Sequence, residues 1–129
     1  MAERLLKKKI GIDAFVSSPA RRAKKTAELF AKTYGCKDED IILITALYQA
    51  PEETFYEVVA ALDEKLDTVA LFAHNPGITH FANSLTPVVQ LDNMPTCSVF
   101  AVQCDIARWA DFAKTKKEYL FFDYPKRIE

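Results

Sequence analysis

Glycine is scarce in this chain of 129 residues, which contains only three. A loop that cradles a dinucleotide needs several glycines close together, so three scattered glycines exclude that class of site. Long apolar runs are missing as well, because no stretch approaches the roughly 20 residues that a membrane-spanning helix needs. The charged opening MAERLLKKKIG has no apolar segment after it, and the sequence therefore predicts no signal peptide.

Neither sign of charge dominates the chain: 17 basic and 18 acidic residues give a net charge of -1. No overall charge recruits nucleic acid or an anionic membrane, so we expect neither as a partner, and any anion site must be local. Cysteine is rare too, with three residues and no Cys-x-x-Cys spacing (Cys36, Cys97 and Cys104). This odd number favours reduced thiols in a cytoplasmic protein over a disulfide or a metal site. The sequence predicts no cofactor and carries no signal for an oligomeric state.

The chain does contain regularly alternating strand and helix patterns. Half of its residues are hydrophobic and 27% are charged, which is typical of a soluble globular domain, here residues 1–129. The apolar patterns predict strands at 12–18, 41–48, 67–73, 98–105 and 117–124. They predict helices at 2–9, 20–34, 51–66 and 78–86. This alternation is typical of a layered α/β domain with a mainly parallel central sheet.

The segment SSPARRAKKTA, residues 17–27, leads from a strand into a helix and places Arg21 and Arg22 at the helix start. Positive charge there opposes the helix dipole, whose N-terminus carries roughly half a positive charge. The planar donors of Arg22 and the free N–H groups of a helix start suit a phosphate-type anion. Ser17 or Ser18 could add a hydroxyl donor. An N-cap serine followed by surface arginines explains the same segment without a ligand.

The second unusual segment is HNPG, residues 74–77, which ends a continuously apolar strand. When protonated, His74 would neutralise anionic oxygens, and when neutral it could act as a nucleophile or a base. Ligands of parallel sheets gather where strands end, so we expect His74 and Arg22 at the same sheet edge. A lone histidine at a strand end is more often structural, and the nearby arginine is what favours the functional interpretation.

Other reactive side chains receive weaker interpretations. His80 falls in the helix after HNPG, where we expect an exposed residue rather than a catalytic partner. Cys97 has no recognisable adjacent base and lacks the Cys-x5-Arg loop of cysteine phosphatases. The aspartates that flank the strands are expected in turns or at strand edges and form no paired-carboxylate site: Asp13, Asp67 and Asp92.

Together, SSPARRAKKTA and LFAHNPGI resemble two motifs of the histidine phosphatase superfamily. The first is similar to its S-S-P-x-x-R-A-x-x-T-A segment and the second to its second histidine motif. The short length, LYQA, MPTCSV and FFDYPK are similar to the small SixA-like phosphohistidine phosphatases, so the resemblance covers essentially the whole chain. It implies a three-layer α/β/α fold of the phosphoglycerate mutase type. It also implies that Arg22 grips a phosphate and that His74 is the second histidine of the phosphate pocket.

The chain departs from this family in one respect. The family's first strand ends in R-H-G, whose histidine becomes phosphorylated, and this sequence contains no R-H-G. The resemblance therefore implies that the first, central strand is missing from the chain as written. The segment exists outside this sequence, or rearrangement or another protomer closes the gap, or the chain is a non-catalytic relative.

The resemblance implies a phosphohistidine phosphatase that acts on a phosphorylated protein or a small phosphoester through a phosphohistidine intermediate. The nucleophilic histidine is expected in the absent R-H-G segment, so the chain as written is expected to be inactive. No metal is needed, because cationic side chains would neutralise the phosphoryl charge. The alternative is a catalytically inactive domain of the same fold that binds a phosphorylated ligand.

Overall fold

The structure is a computed structural model that describes residues 1–125. Its helices are α1 (Ala2–Lys7), α2 (Arg21–Thr33), α3 (Glu52–Ala60) and α4 (Gly77–Leu85). Its strands are β1 (Ala14–Ser17), β2 (Ile42–Leu43), β3 (Val69–Phe72), β4 (Val99–Gln103) and β5 (Glu118–Asp123). Helices and strands therefore alternate up to β4 as the sequence predicts, and a short 3-10 turn, Trp109–Asp111, joins β4 to β5.

The strands form two separate sheets. A parallel sheet has the order β2–β1–β3, and β4 pairs with β5 in an antiparallel sheet of two strands. Ser17, at the end of β1, lies opposite Leu43 of β2 and Phe72 of β3, so the three parallel strands end level with one another. The predicted α/β class with a parallel sheet is confirmed. The loops that follow β1 and β3 consequently start at one edge.

Helices cover the parallel sheet on both faces. Side chains alternate along a strand, so Val16 faces one core and Phe15 the other, and both are almost fully buried. The core around Val16, called here the α3–α4 core, includes Phe55 of α3 and Phe81 of α4, whose rings stack 4.9 Å apart. The core around Phe15, called the α1–α2 core, includes Leu5 of α1. The architecture has three layers.

Two predicted elements are too long. Residues 41–48 were expected to form one strand, but only Ile42–Leu43 pairs with β1. The chain then leaves the sheet in a 3-10 turn that buries Leu47 to 1% exposure in the α3–α4 core. The helix expected over 51–66 ends at Ala60, and the Asp63 carboxylate accepts the Lys65 N–H in the turn that follows. An apolar pattern alone does not distinguish a paired strand from a buried turn.

Strand β3 is less buried than its sequence suggests. Its four apolar residues were expected to be covered on both faces, yet each of them is only half-buried. The cause is its position at the border of the parallel sheet, since no strand of residues 1–125 pairs with its outer edge.

Asp13 joins the start of β1 to the start of β3, which agrees with its expected place at a strand edge. Its Oδ2 accepts the N–H groups of Asp67 at 2.9 Å and Thr68 at 3.0 Å. The hydrogen bond from Thr68, and then that from Asp67, lowers the pKa of the Asp13 carboxyl below its ordinary value. Ionised Asp13 therefore stabilises the fold above about pH 4, and this stabilisation is lost as the pH falls through the folded-state pKa.

We expect Asp13→Ala to lower the free energy of unfolding at pH 7 and to weaken its decline below about pH 4, because the variant has no carboxylate to protonate there. Urea unfolding at pH 7, 4 and 3 measures both effects. Asp92→Ala is the matched control, since Asp92 is an exposed aspartate. Equal pH dependence in the Asp13 variant and the unmodified chain would contradict this account.

Candidate phosphate site

The turn between β1 and α2 is fixed by Ser18. Its backbone N–H donates to the Phe72 carbonyl at 2.9 Å, which ties the turn to the end of β3. Its hydroxyl oxygen accepts the Ala20 N–H at 3.1 Å, and its side chain is fully buried. This hydrogen bond lies in the turn before α2 and does not cap the helix, so the interpretation of the segment as an N-cap serine is wrong. A hydroxyl that accepts one hydrogen bond still has its own proton to donate.

The N-terminus of α2 is cationic. No side chain caps this helix start, and its first turn contains no acidic residue. Four exposed cations stand within the first five positions: Arg21, Arg22, Lys24 and Lys25. Within the described part of the chain, none of these four forms a salt bridge. The first N–H groups of a helix have no partner inside it, so this end offers donors and positive charge to an anion.

His74 lies two residues beyond the end of β3 and is half-buried. Its Nδ1 is buried and has no hydrogen-bond partner among residues 1–125. The ring contacts Tyr48 edge to face, with the ring centroids 6.0 Å apart. Most buried polar atoms in native proteins are hydrogen-bonded, so an unpartnered ring nitrogen at a sheet edge is a group that a ligand would satisfy.

Hydrogen bonds hold the loop that follows His74. The Asn75 side-chain amide donates to the Met94 carbonyl at 3.0 Å, and the Thr79 hydroxyl donates to the Asn75 side-chain oxygen. The Met94 N–H donates to the Thr79 hydroxyl oxygen at 3.0 Å. These three bonds close a ring, called here the Asn75–Thr79–Met94 ring. It fixes the loop after His74 to the loop before β4.

The loop before β4 also reaches α2. The sulfur of Cys97 lies 4.0 Å from the Thr26 hydroxyl oxygen, and this hydroxyl donates to the Arg22 carbonyl at 3.1 Å. A single loop thus contacts both the segment after His74 and the helix turn that carries Arg22. The structure brings the two segments to one sheet edge, and direct contact of both side chains with one anion stays a prediction.

Gly77 sets the approach of a third loop. Its Cα lies so close to the Ala50 carbonyl oxygen that an added Cβ would overlap this backbone atom, and the ring of Phe55 is near as well. Only glycine fits here without a shift of the backbone. This contact holds the loop that carries Tyr48 against the segment that carries His74.

The remaining candidates are His80 and an apolar hollow. His80 is exposed on α4. A hollow of about 370 Å³ between β2 and α3 has mostly apolar walls and includes neither Arg22 nor His74. No group of three His, Cys, Asp or Glu side chains within residues 1–125 is arranged to hold a metal ion. No described helix is long and apolar enough to span a membrane.

The sequence pattern indicates no role for Tyr48, whose ring contacts His74 in the structure. The pattern does not predict the hydrogen bonds of the Asn75–Thr79–Met94 ring either. Both depend on contacts between residues far apart in the chain, for which a single sequence carries no signal beyond the polar residue types themselves.

The chain has the fold of two solved structures. A candidate phosphohistidine phosphatase SixA from Nakamurella multipartitia matches with a TM-score of 0.74 and 18% identity, over 98% of this chain and 78% of its own. A candidate SixA from Agrobacterium tumefaciens matches with a TM-score of 0.73 and 19% identity, over 96% of this chain and 75% of its own. The predicted SixA-like histidine phosphatase fold is confirmed. No family model matches the chain, and neither does any curated protein sequence.

Proposed function

We propose that the chain forms the phosphate-binding part of a phosphohistidine phosphatase, with a phosphorylated protein or a small phosphoester as substrate. One observation supports this most strongly: the uncapped cationic start of α2 begins at the same sheet edge as His74, whose buried Nδ1 lacks a partner in the described chain. The fold shared with two candidate phosphohistidine phosphatases supports the same reaction class.

Arg22 and the first N–H groups of α2 would hold oxygens of the phosphoryl group, and protonated His74 would donate to another. In the first step a histidine nitrogen attacks phosphorus, a P–N bond forms, and the bond to the leaving group breaks. In the second step water attacks phosphorus, the P–N bond breaks, and phosphate leaves with the histidine restored. Arg22 and His74 act in both steps by positioning and charge stabilisation.

The attacking histidine is assigned to a segment ending in Arg-His-Gly, outside the sequence described above. His74 is assigned to binding the phosphoryl oxygens, and His80 is exposed on α4. A domain that only binds a phosphorylated ligand would use the same phosphate-binding residues without hydrolysing the ligand. Turnover separates the two functions, whereas anion binding is common to both.

Replacing Arg22 with alanine should weaken phosphate binding by about 1.5–3 kcal/mol, the usual contribution of a charge-assisted hydrogen bond. This corresponds to roughly a tenfold to hundredfold rise in Kd. Titration of the 129-residue chain with inorganic phosphate, followed by NMR, measures the change. Arg21→Ala is the matched control, because it removes the same charge from the same helix turn. Equal losses of phosphate affinity in the two variants would show that Arg22 contributes only its positive charge. This result would contradict its assignment as a residue that contacts the phosphate.

A further inference from the structure

A hollow of about 370 Å³ separates β2 from α3 and is lined by neither Arg22 nor His74. It is called here the β2–α3 hollow, and its volume is in the range of ligand-binding pockets, about 300–1,000 Å³. Its walls are mostly aliphatic: Ile42 is 45% exposed, and Ile44 and Leu62 are half-buried against the α3–α4 core. Aliphatic surface that stays in contact with water is stabilised when another apolar group covers it.

The chain around this hollow is acidic, although the whole chain carries nearly equal numbers of basic and acidic residues. Residues 38–67, which include β2 and α3, contain nine acidic residues and a single basic one, Lys65. Glu57 and Asp63 line the hollow, and neither carboxylate forms a salt bridge within residues 1–125. An aliphatic hollow bordered by unpaired carboxylates is complementary to a ligand that is both apolar and cationic.

The outer edge of β2 is open to an extended segment. The Ile44 N–H donates to the Ser17 carbonyl at 2.9 Å, so Ile44 faces β1 and the backbone of Leu43 faces away from it. Within residues 1–125 no strand pairs with this edge, and Leu43 therefore offers an N–H and a C=O to a neighbouring chain. A segment aligned with β2 would direct alternate side chains to the face of Ile42 and Ile44, which is the face of the hollow.

Helix α1 of a second copy is a poor source for such a segment, although it carries exposed Leu6 beside the exposed lysines 7–9. Its Arg4 guanidinium donates to the Asp123 carboxylate at 3.1 Å and to the Tyr124 carbonyl at 3.0 Å, which fastens α1 to the end of β5. The backbone groups of a helix are bonded within it and do not pair with a strand. These contacts favour another protein as the source of the extended segment.

We propose that the β2–α3 hollow docks an extended segment of a partner protein that carries an aliphatic side chain between two basic side chains on one face. The aliphatic side chain enters the hollow, the basic side chains pair with Glu57 and Asp63, and the backbone of the segment bonds to Leu43. The acidic surroundings disfavour nucleic acid and an anionic membrane at this surface. The inference goes beyond the proposed function, because neither Arg22 nor His74 lines the hollow.

The test titrates the 129-residue chain with the peptide acetyl-Lys-Thr-Leu-Thr-Lys-amide, called here the basic peptide, and follows the amide signals by NMR. The signals of Leu43 and Ala61 should shift and saturate. A matched peptide with serine in place of leucine should bind at least about tenfold more weakly, because it buries no aliphatic side chain. A second matched peptide with glutamate in place of both lysines should bind more weakly still, because like charges repel.

Two substitutions in the chain locate the binding. Ala61 is exposed and lines the hollow, so Ala61→Phe should fill it and raise the Kd of the basic peptide at least about tenfold. Ala60→Phe is the matched control, because Ala60 is exposed on α3 but does not line the hollow. Glu57→Gln should raise the Kd about two- to fivefold at low salt, whereas Asp92→Asn removes the same charge elsewhere and should leave it unchanged.

Absence of saturable shifts, or equal binding of the three peptides, would overturn the docking surface. So would binding of the basic peptide that persists in Ala61→Phe. Sedimentation of the unmodified chain as a dimer that Ala61→Phe dissociates would place a second copy in the hollow and overturn the partner segment. Ala61→Phe should bind inorganic phosphate as tightly as the unmodified chain, and a loss of phosphate affinity would contradict a surface separate from the phosphate site.

Discussion

The 129-residue chain should show no phosphatase turnover, and the same chain extended by a strand that ends in Arg-His-Gly should gain it. The reason is chemical: a covalent phosphoryl transfer needs a nucleophile aligned with the phosphorus of the bound substrate. His74 is assigned to the phosphate oxygens, and His80 is exposed on α4. Groups that bind the anion accelerate transfer only when a nucleophile reaches it.

Assays with phosphohistidine and p-nitrophenyl phosphate measure this difference. The matched control is the extended chain with alanine in place of the histidine of Arg-His-Gly, which should be inactive while still binding phosphate. Turnover by the unextended chain that disappears in His74→Ala or His80→Ala would show that the nucleophile lies within the 129 residues. An extended chain that binds phosphate without turnover would favour the inactive, ligand-binding alternative.

Replacing Gly77 with alanine should lower the free energy of unfolding by about 2–3 kcal/mol, near the upper end of the usual cost of overpacking. The added Cβ would overlap the Ala50 carbonyl oxygen, a backbone atom that cannot rotate away. Relief of this overlap would move the loop of Tyr48 away from His74, so phosphate binding should weaken as well.

Urea unfolding measures the loss of stability, and NMR titration with phosphate measures the loss of binding. Gly11→Ala is the control, because a Cβ at Gly11 meets no atom within 4 Å and its effect should stay within about 0.5 kcal/mol. Equal unfolding midpoints for Gly77→Ala and the unmodified chain would show that the Ala50 loop shifts at no cost.

The sequence predicts which residues lie at the edge of the sheet better than it predicts the length and the burial of the strands. Arg22 and His74 both follow short apolar runs that end in turn residues, and such local signals are sufficient to place them after β1 and β3. The early end of β2 at Leu43 follows instead from the burial of Leu47 under α3, a tertiary contact. The half-burial of β3 depends on which strand lies beside it, and the pattern within one strand carries no information about its neighbours.

The contact between the rings of Tyr48 and His74 could not be predicted from the sequence pattern either. Tyr48 and His74 are 26 residues apart in the sequence, and the close approach of the Ala50 carbonyl to Gly77 supports their contact. The polar residues Asn75 and Thr79 are visible as a turn and a helix start, but their shared partner Met94 belongs to a loop without regular structure.

The bond between Arg4 and Asp123 has a consequence for the order of folding. These residues are 119 positions apart, so helix α1 is synthesised well before the strand that holds its partner. Contacts of such long sequence separation form slowly, because a large loop must close before they stabilise anything. A helix of six residues is also too short to persist alone in water. On a growing polypeptide, α1 should therefore depend first on its packing against β1 and α2, and its hydrogen bonds to Asp123 and Tyr124 should form only after β5 has left the ribosome.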